Sequence, residues 1–297
     1  MVCLLIYCCI FDTHENMMFL KKILFISRPR IWIYTVGSFA LGVQVGSGDM
    51  MHIFSSSLLL LMLWLTLPIN VFLYALNDAY DVETDLHNPK KRGFERQASL
   101  SERKSLLVLA AIALAPAFFL IISFSTFLKA LFIIWLLIVV TYNIPPLRFK
   151  GRPFLDLFFA FNFPLWGVIG YIITSHKTPT PLILLALALF AVAMHIYTSI
   201  PDIASDRASG LITSAVFFGS GAYNLVICII LTLFSSITLL IAELPLLASL
   251  GLGYILFFSL QLYNRKQHIS LVDWYRYFIY LHYGAGIAAS IILNRGI

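Results

Sequence analysis

The chain consists of long apolar stretches separated by short polar segments. Nine stretches, numbered spans 1 to 9, cover residues 31–47, 53–76, 105–124, 127–143, 154–174, 181–200, 213–234, 245–263 and 274–293. Most approach the roughly 20 residues that a helix needs to cross a bilayer. They lack the alternation of barrel strands, and only helices or closed barrels satisfy backbone groups in lipid. The pattern therefore predicts an all-α integral membrane protein with about nine transmembrane helices.

Composition strengthens this interpretation. Of the 297 residues, 60% are hydrophobic and 11% are charged, whereas about a quarter of an ordinary soluble domain is charged. The four cysteines form no CxxC pair, so we expect neither a disulfide framework nor a zinc site. Residues 1–24 are expected to be an N-terminal tail, with Met17 or Met18 as an alternative translation start. Residues 25–297 are expected to form a single transmembrane domain.

The positions of lysine and arginine predict the orientation of the chain. If the spans alternate, all but three of the 20 Lys and Arg residues fall on one side, the exceptions being Lys129, Lys177 and Arg295. Basic residues concentrate on the cytoplasmic side. The N-terminus and the polar loops after spans 2, 4 and 6 are therefore expected to be cytoplasmic. The net charge of +6 then reflects topology and contact with anionic lipid, and does not indicate nucleic-acid binding.

Two acidic motifs end spans 2 and 6. The first has the pattern NDxxDxxxD and the second DxxxD, so the acids of each motif share one helix face. Like charges on one face persist when a cation neutralises them, and Mg²⁺ uses carboxylates together with substrate phosphate oxygens. The motifs predict five metal ligands that would hold Mg²⁺ against a diphosphate: Asp78, Asp81, Asp85, Asp202 and Asp206. All of these except Asp85 are also assigned a catalytic role. Glu83 points away from this face and is expected to be solvated.

The two motifs lie four spans apart. This spacing favours two four-helix halves plus a final helix, arranged so that both acidic ends meet at one central cavity. A diphosphate also needs donors beyond the metal, because cationic side chains bind phosphate oxygens. The candidates are Asn77, Arg148, Lys150, Lys91, Arg28 and Tyr142.

Four aromatic, imidazole or acidic side chains near the motifs have open roles. Tyr142 and Tyr197 either pack or face the cavity, where an aromatic ring steadies a developing allylic cation. His195 precedes Asp202 by one or two turns and either faces the cavity or is a hydrogen-bonded core histidine. Asp156 is expected to pair locally.

The motif segments NDAYDVETD, DIASD and TYNIPPLRFKGRP resemble those of the UbiA superfamily of intramembrane prenyltransferases. The resemblance extends from about residue 25 to the C-terminus. It implies nine helices around a central cavity that opens laterally to lipid. It also implies that the two motifs bind the Mg²⁺–diphosphate, with assistance from Arg148 and Lys150.

The segments SRPRIWIY and SIPDIASDRASG are similar to the lycopene elongases within that superfamily. This likeness implies transfer of a dimethylallyl group from its diphosphate to lycopene or a related carotenoid. A quinone precursor or another lipid is an alternative acceptor. An ion-coupled transporter that uses intramembrane acids is an alternative of another class, although it would favour acids near the bilayer midplane.

Overall fold

The part of the chain that the structure describes is helical. The computed structural model describes residues 13–91, 94–264 and 269–294, and no strand occurs within these ranges. Eight helical segments in these ranges are long and apolar enough to cross a membrane. They correspond to spans 2 to 9 and are Ser57–Asp81, Leu100–Leu120, Thr126–Asn143, Asp156–Ser175, Pro181–Ala208, Gly221–Ile241, Pro245–Tyr263 and Leu271–Asn294. The predicted all-α membrane architecture is confirmed.

Span 1 is shorter than the others. Its α-helix is Val36–Ser47, and a 3₁₀-helix at Pro29–Tyr34 precedes it. Twelve helical residues extend about 18 Å, less than the hydrocarbon core of a bilayer. Span 1 packs on span 5 with almost no gap, because a Cβ added to Gly42 would lie 1.9 Å from the carbonyl oxygen of Gly167.

Span 2 is a broken helix. Ser56–Leu65 is followed by Leu67–Asp81, with proline at the start of the second segment. The Asn70 amide donates to the Thr66 carbonyl at 2.6 Å and to the Thr35 hydroxyl at 2.9 Å. A side chain therefore provides the hydrogen bond for a backbone carbonyl at the break in the helix. The second segment continues to Asp81, whereas the sequence predicted an end at residue 76. Much of the first acidic motif is therefore helical.

Spans 5, 6 and 7 also depart from single regular helices. Span 5 begins with a 3₁₀-helix at Asp156–Asn162 and continues as Pro164–Ser175. Span 6 runs as Pro181–Ser199, then Ile200–Asp202 and Ile203–Ala208. The predicted start of span 7 at residue 213 is wrong. A five-residue helix, Ser214–Phe218, precedes it and is separated from it by Gly219, whose φ of 96° favours glycine.

The hydrophobic core has two principal clusters. The first joins spans 1 to 5 around tryptophan rings such as Trp135 and Trp166, whose centroids lie 5.2 Å apart. The second joins spans 6 to 9 around Tyr197, Phe258 and Phe278. The N-terminal helix, Thr13–Ile26, contacts span 2. The expected boundary between tail and domain, at residues 24 and 25, falls inside this helix, and residues 1–12 lie outside the described part.

Candidate active site

The loop after span 2 connects the two acidic motifs. The Asn88 amide donates to Oδ1 of Asp202 at 2.9 Å. Nζ of Lys90 donates to Oδ2 of the same carboxylate at 2.6 Å and to the Thr198 carbonyl at 3.0 Å. The acidic ends of spans 2 and 6 therefore lie side by side, as the two-half arrangement requires.

Asp81 is held by donors from two other parts of the chain. Its carboxylate accepts from Lys150 at 2.5 Å, from Asn77 at 2.7 Å and from Arg148 at 3.3 Å. Asn77 also donates to the side-chain oxygen of Asn143 at 3.2 Å, at the end of span 4. The segment after span 4 therefore places two of its cations on the first acidic motif, while their predicted role in diphosphate binding stays a prediction.

A second group of charges surrounds Lys91. Its ammonium lies 2.9 Å from Asp78, 2.9 Å from Asp85 and 3.6 Å from Glu95. Arg28 bridges two of the same acids, at 2.9 Å from Asp78 and 2.8 Å from Glu95. The Arg28 guanidinium also lies over the Tyr74 ring at 4.3 Å. All these charges are largely buried, so their mutual pairing is what makes the burial tolerable.

The loop charges alter one another's pKa. Burial alone would raise the pKa of Glu95, but the positive charges of Arg28 and Lys91 lower it to about 2. Burial and Arg28 disfavour protonated Lys91, yet the surrounding acids outweigh them and raise its pKa. Burial raises the pKa of the Asp85 carboxyl, and the Lys91 charge offsets this only in part. Burial would lower the pKa of Lys150, but Asp81 raises it, so Lys150 stays protonated at neutral pH.

Two of the arginines have unusual backbone conformations. Arg28 has φ of 50° and Arg148 has φ of 33°, in the left-handed region that residues other than glycine rarely adopt. Such residues persist when surrounding contacts fix them, and they cluster at functional sites. Here the surrounding contacts are ion pairs: Arg28 pairs with Asp78 and Glu95, and Arg148 pairs with Asp81.

A cavity of about 1020 Å³ extends from this charged cluster into the helical bundle. Its charged mouth includes Asp81, Asp85, Lys150, Asp202 and Asp206. Below the mouth, the lining becomes aromatic and then aliphatic: Tyr142, Phe159, Phe163 and His195, followed by Leu187, Leu239, Leu247, Leu250 and Ile287. This volume is at the upper end for small-molecule sites, and the gradient of polarity suits a ligand with an anionic head and a lipophilic body.

Most of the predicted site residues meet here. Asn77, Tyr142, Lys91 and Arg28 line the cavity along with the five charged mouth residues. Asp78 and Arg148 lie behind that lining and contact it through ion pairs. For these two residues, as for those that line the cavity, contact with a ligand stays a prediction.

The other aromatic and acidic candidates lie in different environments, and only some of them line the cavity. Tyr142 stacks on Phe159 at 4.1 Å and lines the cavity, whereas Tyr197 is buried in the second core cluster and donates to Gln261 at 2.8 Å. Asp156 does not pair locally as expected. It accepts from the backbone N–H of Ser214 at 2.8 Å and from the Ser214 hydroxyl. Glu83 is exposed, as predicted.

Sequence reasoning missed Asn88, Lys90 and Glu95. All three lie in the irregular loop after span 2, where no periodic pattern indicates which side chains turn inward. Their proximity to the first motif was the only available signal, and Lys90 stands directly beside the predicted Lys91.

The donor chemistry of the cluster fits Mg²⁺. The second carboxylate oxygen of Asp78 is buried and has no hydrogen-bond partner among the described residues, and buried Asp206 lines the cavity. Within the described ranges, no three acids are grouped closely enough to enclose an ion by themselves. Mg²⁺ commonly takes one or two carboxylates plus substrate phosphate oxygens and water, so the residues suit a metal shared with a phosphate ligand.

Comparisons with known proteins agree with this arrangement. A model of the UbiA prenyltransferase family matches residues 31–282. The lycopene elongase/hydratase of Haloarcula japonica is 37% identical over an aligned length of 218 residues, and the alignment covers 72% of this chain and 74% of that protein. The lycopene elongase/hydratase of Corynebacterium glutamicum is 28% identical over an aligned length of 291 residues, and the alignment covers 92% of this chain and 96% of that protein.

Two solved structures share the fold. A UbiA homologue from Archaeoglobus fulgidus, solved with GPP and Mg²⁺ bound, has a TM-score of 0.63 and 19% identity. The comparison covers 92% of this chain and 99% of that one. A digeranylgeranylglyceryl phosphate synthase has a TM-score of 0.60 and 17% identity, covering 93% of this chain and 99% of that one. At these identities the likeness concerns the fold alone.

Proposed function

The chain belongs to the UbiA prenyltransferase family, and we propose that it uses Mg²⁺ to transfer a dimethylallyl group from dimethylallyl diphosphate to lycopene or a related carotenoid. One observation carries the proposal. Both acidic motifs and their basic partners open onto a single cavity whose depth is aromatic and aliphatic. The relatives named lycopene elongase/hydratase support the choice of acceptor. A quinone precursor or another lipid remains the alternative acceptor.

The charged mouth binds the diphosphate. Lys150, Lys91 and Arg28 now hold Asp81, Asp78 and Glu95, and on binding they turn in part to phosphate oxygens. Asp81, Asp85, Asp202 and Asp206 would hold Mg²⁺, with Asp78 behind them. A metal held there would supply Lewis-acid neutralisation of charge on the leaving diphosphate. Arginine forks onto phosphate oxygens, while lysine acts as a point charge.

The aromatic zone protects the cation that ionisation leaves. The Tyr142 and Phe159 rings, stacked below the mouth, present π faces that stabilise positive charge. The apolar lining excludes bulk water, which would quench the cation before the acceptor reaches it. The acceptor enters from the bilayer, and its double bond supplies the electron pair for the new carbon–carbon bond. We expect the mouth to face the cytoplasm, as the basic loops indicate.

The test uses membranes of a lycopene-producing host that expresses the full chain. Dimethylallyl diphosphate and Mg²⁺ are supplied, and extracted pigments are analysed by mass. We expect species heavier than lycopene by one or two five-carbon units, with or without added water, and we expect EDTA to abolish them. Asp202→Ala and Asp78→Ala should insert into the membrane but lose activity.

Asp273→Ala is the matched control, because the Asp273 side chain is 43% exposed and its partners are local, with Ser270 at 2.7 Å and Arg276 at 3.1 Å. Unchanged lycopene with folded protein would discard the carotenoid acceptor and direct the same assay to quinone precursors. Near-normal turnover in both Asp78→Ala and Asp202→Ala would refute the site.

A further inference from the structure

His195 occupies a distinctive position in the cavity. It lies in span 6, two turns before Asp202, and its ring lines the cavity where the charged mouth gives way to aromatic side chains. Its Nε2 atom is buried and has no hydrogen-bond partner among the described residues. Buried polar atoms are nearly always paired, so this imidazole is not the hydrogen-bonded core histidine that the sequence allowed.

The surroundings of His195 suit a proton acceptor. Oδ2 of Asp156 lies 4.0 Å from Nε2, and Ser214 fixes that carboxylate through its N–H and its hydroxyl. The tautomer with its proton on Nε2, toward Asp156, leaves the lone pair on Nδ1. An imidazolium formed by protonation of Nδ1 would keep the Asp156 carboxylate beside its other N–H.

The depth of His195 matches the site where the reaction must end. Seven residues of helix separate it from Asp202, a rise of about 10 Å. A diphosphate held at the mouth places the first prenyl carbon below the acids, and the carbocation left on the acceptor lies beyond that carbon. The Tyr142 and Phe159 rings, with centroids 6.1 Å and 6.0 Å from the imidazole, surround the same space.

We propose that His195 is the terminal base of the reaction, an inference that rests on the proposed prenyl transfer. The carbon–oxygen bond of the prenyl diphosphate breaks, and diphosphate leaves with the electron pair. The acceptor's π electrons form the new carbon–carbon bond and leave a carbocation on the acceptor. Nδ1 then takes a proton from the adjacent carbon, whose C–H electrons become a double bond. Where water adds to the carbocation instead, Nδ1 takes the proton from that water.

The experiment separates ionisation from proton removal. Dimethylallyl diphosphate carrying ¹⁸O in the bridging position is given to the purified full chain with Mg²⁺ and lycopene. Reversible ionisation moves the label to non-bridging positions, and prenylated pigment reports the completed reaction. For His195→Gln we expect label exchange within threefold of wild type, and pigment formation at least 100-fold lower, since a general base contributes roughly 10²- to 10⁴-fold.

His282→Gln is the matched control. His282 lies in span 9 and also lines the cavity, but its Nδ1 is already 3.2 Å from the Phe278 carbonyl. We expect this variant to keep the wild-type ratio of pigment formed to label exchanged. Wild-type pigment formation by His195→Gln would overturn the proposal and leave diphosphate as the base. A parallel loss of exchange and pigment would also overturn it, because His195 would then act in ionisation or structure.

Failure of the proposed function itself gives a different result. Wild-type protein would then form no prenylated product from lycopene. Label exchange in wild type, without any pigment, would indicate a different acceptor, and the ratio for His195→Gln would be measured with that acceptor instead.

Discussion

Glu95 provides a test of how the buried charges stabilise the fold. It is only 7% exposed, belongs to neither acidic motif, and pairs with Arg28 at 2.8 Å and Lys91 at 3.6 Å. Replacing it with glutamine keeps the shape of the side chain but removes its negative charge. Arg28 and Lys91 would then share fewer anions in a buried environment, and we expect the free energy of unfolding to fall.

The size of the effect follows from the pKa. Arg28 and Lys91 lower the pKa of Glu95 against its burial, from an ordinary value of 4.5 to about 2. This difference corresponds to about 3 kcal/mol at neutral pH, close to the 3–5 kcal/mol typical of breaking a buried pair. Because the folded-state pKa is depressed, the stabilisation is complete above pH 4.5 and is lost as pH falls toward 2. At pH 3 we expect less than about half of it to remain.

The assay is thermal unfolding of the detergent-solubilised chain, followed by the fluorescence of buried tryptophans such as Trp135. A loss of about 3 kcal/mol lowers the transition by roughly 6–12 °C in a protein of this size class. The unfolding temperature of Glu95→Gln should lie below that of wild type by this amount at pH 7 and by a clearly smaller amount at pH 3. Glu83→Gln is the control, because Glu83 lies in the same loop but is exposed. An equal difference in unfolding temperature at both pH values, or no difference at pH 7, would refute the electrostatic reasoning.

Two further predictions concern packing and ligand binding. Gly42→Ala should destabilise the fold by about 1–3 kcal/mol or more, because the new Cβ would lie 1.9 Å from the Gly167 carbonyl oxygen. Gly253→Ala, with no atom within 4 Å of its added Cβ, should not destabilise it, and equal effects in thermal unfolding would contradict the close packing of spans 1 and 5. Lys150→Met should raise KM for the prenyl diphosphate about 10- to 100-fold, the usual worth of a hydrogen bond to a charged group, while exposed Lys177→Met should leave it unchanged. Steady-state kinetics with Mg²⁺ in excess measures both, and an unaltered KM in Lys150→Met would remove that residue from the site.

The sequence was sufficient for most of the helices, because apolar length is a local pattern. The first motif departs from the predicted single helix face, because the helix ends at Asp81 and Asp85 lies in the 3₁₀-helix Thr84–His87. Apolar length predicts a membrane span without tertiary information, and the i, i+3 and i+4 spacing of acids predicts a shared face. The start of span 7 was wrong because hydropathy continues across Gly219, whereas the backbone turns there. The break at Thr66 within span 2 escaped notice for the same reason.

The site was less predictable where it depends on loops. Arg148 and Lys150 were found because they follow a span directly, and the structure places both on Asp81. Lys90 and Glu95 turn inward only because the loop folds back across the ends of spans 2 and 6, where Lys90 reaches Asp202. Asp156 looked like a local partner in a basic loop, yet its partner is Ser214, 58 residues away. Contacts of this kind follow from tertiary packing, which no periodicity encodes.

The balance of charge at the mouth indicates how the site accepts its ligand. The cluster contains nearly equal numbers of acids and cations, and each cation already lies against an acid: Arg28, Lys90, Lys91, Arg148 and Lys150 against Asp78, Asp81, Asp85, Glu95 and Asp202. A metal ion alone would add positive charge beside lysines, and a diphosphate alone would add negative charge beside carboxylates. In a low-dielectric environment either addition is costly. When both are added together, the carboxylates can turn to the metal while the lysines and arginines turn to phosphate oxygens. Under the proposed function, we therefore expect these residues to bind a metal and a diphosphate as a pair.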